Sequence, residues 1–385
     1  MLLDALIDHH VHLYAGSLLA ALTMAYGVVS WFAARWPMAV EGQIHGHMPP
    51  VTILKPLYGA ERETYHCLLS FCQQQYPDYQ IVFGVADAVD PAVAIVARLQ
   101  REWPQLDIQL AIDRRQHGGN RKVSNLINMM ALARHDVLAL SDSDVRVQPN
   151  YLAKVVAPLN DPCVGMVTCL YRGCPRSGLW PLLGSLFIND WFAPSVRVAA
   201  LSGSRAFAFG ATIALRRNTL SQIGGFKSVA NQLADDYRLG QLTRRAGMRT
   251  VLSDVVVETV VSDTTFAQLM QHELRWLRTI RAMNPHGHRF LFLTFSLPIA
   301  ALGNWLAANS LLTLGMLVMT LAARILVHSN TRQRGASWVP LMLLPFRDLL
   351  SLGLWSWSFV TRRVQWRDSH FHTARDGSMR IIESA

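Results

Sequence analysis

Val137-Leu138-Ala139-Leu140-Ser141-Asp142-Ser143-Asp144 is the stretch on which the reading of this chain turns. Four apolar residues in a row read as a short strand buried on both faces. Two carboxylates then come, two positions apart, on a Ser-rich turn. In an open α/β sheet, ligands bind in the crevice just beyond the carboxyl ends of the strands. Asp142 and Asp144 at such an end are hard oxygen donors, suited to a divalent cation shared with a phosphorylated ligand. A plain solvated turn is the alternative, and the rest of the chain decides between them.

On the N-terminal side the pattern alternates. Residues 51–57 read as a first strand broken by Pro56, 61–75 as a helix stopped by Pro77, and 80–87 as a second strand ending in Asp87. Pro91 opens a crossover helix, 107–112 form a third strand, and 123–134 a helix. Such alternation predicts a βαβ-type parallel sheet, with Asp87 and Asp142 facing one crevice. On the C-terminal side, residues 164–170, 209–215 and 249–252 read as strands. Gly224-Gly225 suits a helix end or a close backbone approach to a ligand. Asp235 and Asp236 sit in the first turn of a helix, where acids are electrostatically favoured. A helix over 264–283 puts His272, Arg275, Trp276 and Thr279 on one face.

Half of the 385 residues are hydrophobic and 16% are charged, which is lean for a wholly soluble protein. The apolar residues concentrate at 13–36, 290–327 and 338–360, long enough to suggest membrane helices flanking a soluble core. The second run is read as a helical hairpin. The third carries Pro345-Phe346-Arg347-Asp348 in its middle, where charges are costly unless they face protein or water, so it spans or re-enters. The parse is a 1–12 N-terminal tail, a 13–36 transmembrane helix, a 50–263 catalytic domain, a 264–289 interfacial helix, 290–360 membrane helices and a 361–385 polar tail. Gly42 to Pro50 reads as a linker.

A net charge of +10 fits anionic lipid or a phosphate-bearing substrate; no nucleic-acid motif is present. Five cysteines without a CxxC pair fit a reducing, cytoplasmic setting, and no cleavable signal peptide is evident. His9, His10 and His12 have no partner ligands in the sequence. Arg35 places the chain after the first apolar run in the cytoplasm by the positive-inside rule. Arg332 and Arg334 suit a cytoplasmic loop, and Arg362, Arg363 and Arg367 pull the tail to the same side, which four full spans with an outside N-terminus would not allow.

Asp87, Asp142-x-Asp144, Asp235-Asp236 and Arg275-Trp276, in this order, resemble the membrane-associated family 2 and family 21 glycosyltransferases. The resemblance is strongest to ceramide glucosyltransferases and bacterial hopanoid-biosynthesis glycosyltransferases. Lys55-Pro56-Leu57-Tyr58-Gly59, Gly119 to Leu126, Leu233 to Tyr237 and Leu344-Pro345-Phe346-Arg347-Asp348 extend it over about residues 50–370. It implies an α/β, GT-A type, Rossmann-like mixed-sheet catalytic domain with N- and C-terminal transmembrane or interfacial helices. It implies an inverting hexosyltransferase moving one glucose or N-acetylglucosamine from a UDP-sugar to a hydroxyl of a membrane lipid, hopanoid or ceramide. Mg²⁺ or Mn²⁺ would sit on Asp144 with Asp142 assisting, and Asp87 near the uridine. Lys122 and Arg275 would contact phosphate, Asp236 would be the base, and Asp235 its acidic neighbour. Trp276 would pack on acceptor or sugar. Gly225, with Gly203 and Phe207, is a candidate for the acceptor channel. His272 stands where the family signature has Gln or Arg. The implied location is the bilayer, with the catalytic domain on the cytoplasmic face of a bacterial inner membrane. A processive polysaccharide synthase and an inactive nucleotide-sugar-binding scaffold are the rival readings.

Overall fold

The computed structural model describes residues 2–36, 47–332, 338–360, 363–366, 369–373 and 378–381. Residues 42–46 of the expected linker, together with Arg334, Arg362 and Arg367, lie outside them. The chain divides into two compact units. One comprises Pro37–Cys174, Ser204–Val260 and Phe371–Ala385; the other comprises Met1–Trp36, Pro175–Gly203 and Val261–His370.

The first unit is built on an eight-stranded sheet. Its strands are β1 (Val51–Pro56), β2 (Tyr79–Val85), β3 (Asp107–Ile112), β4 (Val137–Leu140), β5 (Val145–Arg146), β6 (Val164–Pro175), β7 (Ile213–Arg216) and β8 (Arg249–Val261), in the order β3-β2-β1-β4-β7-β6-β8-β5. β3, β2, β1 and β4 run parallel, whereas β7 is antiparallel to both β4 and β6. Leu54 of β1 lies opposite Val82 of β2 on one side and Leu140 of β4 on the other, so these strands end on one rim. Successive residues feed opposite faces, as the pleat requires. Ile53, Ile81 and Ala139 join one core with Phe71 and Tyr151, while Leu54, Val82 and Leu138 join another with Leu126 and Phe226. Both faces are therefore covered, which is why β4 is apolar at every position.

The sheet differs from the expected one on its C-terminal side. β8 runs for 13 residues rather than stopping at 252, and β5 is a short extra edge strand. β7 starts at Ile213, since Phe209 makes only an isolated bridge to Thr212. These segments lack a clean apolar alternation: Ser253, Asp254 and Glu258 interrupt β8.

The second unit is mainly helical. Residues 2–12 of the expected tail belong to the helix Leu2–Arg35. Within it His10–Arg35 is long and apolar enough to cross a membrane, as is Leu311–Thr331. Pro285–Thr294 and Ser296–Leu306 are bent by 72° and would make a third span only if they act as one. The hairpin is present, turning at Ala308 and Asn309 (φ 52° and 54°), but its first limb, Ser296–Leu306, has 11 residues. Leu344–Trp357 has 14 residues, about 21 Å at 1.5 Å per residue, short of a hydrocarbon core roughly 30 Å thick. The polar tail carries strands at Arg363–Trp366, Ser369–Thr373 and Met379–Ile381.

The N-terminal helix packs on Ser296–Leu306 through glycines. A Cβ on Gly16 would come within 2.5 Å of the Gly303 carbonyl oxygen, and one on Gly303 within 2.6 Å of that of Gly16. Small residues allow this backbone approach. A helix over Leu179–Phe187 and Ala193–Leu201, unexpected from the sequence, contains a π turn at Ile188–Phe192. Asp190 in that turn accepts from Thr331 Oγ1 (2.6 Å) and pairs with His328 Nδ1 (2.8 Å). Arg324 pairs with Asp348 at 2.6 Å and Arg347 with Glu273 at 2.7 Å. The charges inside the apolar region thus face protein.

Candidate active site

The helix Arg121–Met129 starts beside the rim. Asn120 caps it, its side-chain oxygen accepting from the Val123 amide at 3.1 Å. The Asn120 amide group donates onward to Asp235 Oδ1 (3.2 Å) and the Gln232 carbonyl (2.9 Å). One buried cap therefore ties the Lys122 helix to the start of the helix Asp235–Arg245. Asn125 seats the Lys122 helix on β2 by donating to the Gly84 carbonyl at 2.7 Å.

Lys122 is the hub. Its ammonium lies 2.5 Å from Asp142 Oδ1 and 3.8 Å from Asp235 Oδ2. Burial lowers its proton affinity, but Asp142, Asp235 and Asp236 more than compensate and raise it, so Lys122 is a fixed cation. Asp236 accepts from the amides of Gly210 (2.8 Å) and Tyr237 (2.7 Å). Enclosure, then the Asp235 charge, push its carboxyl up to about 6, against the pull of Lys122 and the two amides. Enclosure likewise raises Asp235. A Cβ on Gly210 would lie 3.0 Å from Lys122 Nζ, 3.1 Å from Asp142 Oδ2 and 3.5 Å from Asp236 Oδ2. Gly210 therefore marks where acids distant in sequence meet.

The Asp142–Asp144 turn sits over a second cation. Lys55 is fully buried, donates to the Asp142 carbonyl at 2.8 Å, and stands 3.6 Å from the Phe71 ring centroid. Burial pushes its ammonium down to about 7, opposed by Cys67, Asp144 and Asp142. Asp144 accepts from Thr259 Oγ1 at 2.7 Å. Arg146 and Arg172 both pair with Glu258, pinning the edge beside that threonine. Protein surrounding Asp144 and the neighbouring Asp142 charge push its carboxyl up, opposed by the Thr259 hydroxyl, its own backbone amide and the Lys55 charge. Two crowded, water-accessible carboxylates suit a hard cation. Among the described residues no three His, Cys, Asp or Glu side chains form a cage. A cation on Asp142 and Asp144 would need phosphate or water oxygens to complete its shell.

Asp87 lies beyond β2 on the same rim and pairs with Arg114 at 2.6 Å, which holds its carboxyl below the usual range. Gly225 is elsewhere. It terminates the helix Arg217–Gln222 with φ +67°, its amide donating to the Leu220 carbonyl, and borders a shallow groove with Ile127 and Met130. Met130 is eight residues along the helix from Lys122, about 12 Å at 1.5 Å per residue. Phe207 is half-buried, its ring tilted by 31° against that of Phe209 at 6.2 Å. In the helical unit, His272 bonds Asp263 at 3.1 Å and Trp276 lies edge-on to His272 at 4.8 Å. Sequence reasoning does not single out Lys55, Asn120, Gly210 or Thr259 as site residues. The first two lie within stretches that carry the family resemblance, and nothing local marks the others.

The model of glycosyl transferase family 21 matches residues 15–379. The chain belongs to this family. Similar proteins include Ceramide glucosyltransferase 1 of Caenorhabditis elegans, 20% identical over 71% of this chain and 58% of the relative. Ceramide glucosyltransferase 3 of the same organism is 23% identical over 86% and 74%. An N-acetylglucosaminyltransferase of Rhizobium meliloti (strain 1021) is 26% identical over 71% and 67%. The chain thus spans well under two thirds of the first relative's length. The mannosyltransferase PcManGT of Pyrobaculum calidifontis, solved with GDP-Man and Mn²⁺, is 20% identical with a TM-score of 0.50, covering 89% of this chain and 95% of its own. The fold is accordingly the GT-A glycosyltransferase fold.

Proposed function

We propose that this glycosyltransferase moves one hexose, glucose or N-acetylglucosamine, from a UDP-sugar to a hydroxyl of a membrane lipid, inverting the anomeric centre. Asp236 carries the proposal. It is held by two backbone amides, and its carboxyl titrates at about 6, so near neutral pH it is ionised yet basic enough to take a hydroxyl proton. As the acceptor oxygen bonds to the anomeric carbon, its proton passes to Asp236 and the sugar–diphosphate bond breaks. Asp235 raises the basicity of Asp236, and Lys122 offsets the charge gathered beside it. Asp142 and Asp144 would hold Mg²⁺ or Mn²⁺, which when bound neutralises charge developing on the leaving diphosphate. Asp87 is assigned to the uridine, Arg275 to the diphosphate, and Trp276 to the acceptor or sugar. Gly225 has no part in this scheme.

The lipid acceptor is supported by the helices His10–Arg35 and Leu311–Thr331 and by the names of the relatives. Hopanoid and ceramide are both allowed. The catalytic unit is assigned to the cytoplasmic face of a bacterial inner membrane. The test is detergent-purified protein with labelled UDP-glucose or UDP-N-acetylglucosamine and a lipid extract. A lipid bearing one sugar is the expected product. Polymer would point to a processive synthase, and binding without turnover to an inactive scaffold.

A further inference from the structure

The Leu344 to Asp348 motif puts two charges where the surrounding chain is apolar, and the transfer chemistry leaves both unused. Arg347 is 1% exposed and Glu273 3%. Arg347 Nη1 donates to Glu273 Oε1 at 2.8 Å and Nη2 to Oε2 at 2.7 Å, a two-pronged pair. Nε and Nη2 also donate to Ser351 Oγ, at 3.2 and 3.0 Å, so the fork is fixed from its own helix. The guanidinium carbon lies 5.3 Å from the Phe187 ring centroid, and that ring lies 6.0 Å from the Trp276 ring. Phe192 packs on Trp276 from 6.2 Å. Glu273 precedes Trp276 by three positions and shares its side of the helix Phe266–Met283. Arg347 thus reaches the 272–276 segment twice, through the Glu273 carboxylate and through the Phe187 ring.

We infer that Arg347 and Glu273 are positioning residues that fix the rotation of the helix Phe266–Met283 and hence the directions of Arg275 and Trp276. The inference rests on the reading that Arg275 and Trp276 serve glycosyl transfer. A buried ion pair is a poor source of stability, because an apolar pair of similar volume is often as stable or more so. What the fork adds is a direction: it closes in one rotation of the helix, whereas apolar contacts tolerate several.

The test compares the full chain in detergent with a Glu273→Leu/Arg347→Met double variant and with Arg347→Lys, which keeps the charge but loses the fork. Melting, amide exchange over 266–283 and turnover of UDP-glucose or UDP-N-acetylglucosamine on lipid extract are read together. The double variant is expected to melt like the wild type and to exchange about threefold faster over 266–283. Its kcat is expected to fall about a hundredfold, while the nucleotide-sugar KM, to which Arg275 contributes through the diphosphate, rises by less, about tenfold at most. Arg347→Lys falls between, with unchanged melting. Wild-type exchange over 266–283 in the double variant overturns the inference whatever the turnover; so does wild-type turnover with faster exchange. If the double variant does not fold, Arg347→Lys decides, wild-type turnover overturning the inference and reduced turnover supporting it. A wild-type chain without turnover on either donor counts against the transferase reading, while a difference in exchange still supports the fixed rotation.

Discussion

Asp236 gives the sharpest consequences at the scale of single residues. Its carboxyl sits at about 6, above its value in an unfolded chain, so it is protonated in acid and ionised above that point. A base must be ionised to act. kcat/KM is therefore expected to rise with pH up to about 6 and then level off, and a pH–rate profile checks this. Asp236→Asn is expected to lower turnover by about 10²–10⁴ while UDP binding, followed by calorimetry, persists. The stability sign is the opposite of a salt-bridged acid. Folding favours the protonated carboxyl, so the contribution is largest below the unfolded value and is lost as pH rises through about 6. Asp236→Asn should thus melt no lower than wild type at pH 7 by calorimetry, which separates lost chemistry from lost fold. Lys122→Met removes the cation shared by Asp142 and Asp235. UDP affinity is expected to fall about tenfold or more, a hydrogen bond to a charged group contributing roughly 1.5–3 kcal/mol. The acids were legible in the sequence because strand ends and helix starts announce them. Gly210 was not, since its role exists only where Lys122, Asp142 and Asp236 converge in space.

At the scale of elements, helix pairing by glycine is open to direct test. Gly303→Leu would drive a side chain into the backbone at Gly16 and the Ala20 amide. The helices must part, and the melting temperature in detergent is expected to drop; Gly315→Leu, where a Cβ meets nothing within 4 Å, is expected to leave it unchanged. Strands β1 to β4 were readable because a two-sided parallel sheet demands apolar runs bounded by turns. β8 was largely invisible beyond residue 252, because Asp254 and Glu258 serve neighbouring charges, Lys154, Arg146 and Arg172, rather than ending the strand. The helix Leu179–Leu201 is hard to read from sequence because Pro181 and Pro194 punctuate it, although each falls near the start of a helical segment, where proline is tolerated.

For the molecule as a whole, the two helices of spanning length predict how the chain behaves in cell fractionation. It is expected to stay with the membrane pellet after an alkaline carbonate wash, and release into the supernatant would refute membrane insertion. Composition foretold the apolar runs at 13–36, 290–327 and 338–360, but not that the N-terminal helix would pack on Ser296–Leu306 and Leu311–Thr331 from the far end of the chain. Hydropathy carries no pairing information; the glycine contacts do. The π turn at Ile188–Phe192 makes one part of this assembly intolerant of changes in chain length. Deleting one residue there would restore ordinary α-helical hydrogen bonding and remove the widened turn that carries Asp190. Either Asp190 or the helix beyond it would then lose its place. Natural relatives should accordingly keep the acid at 190 and show neither insertions nor gaps between 187 and 193.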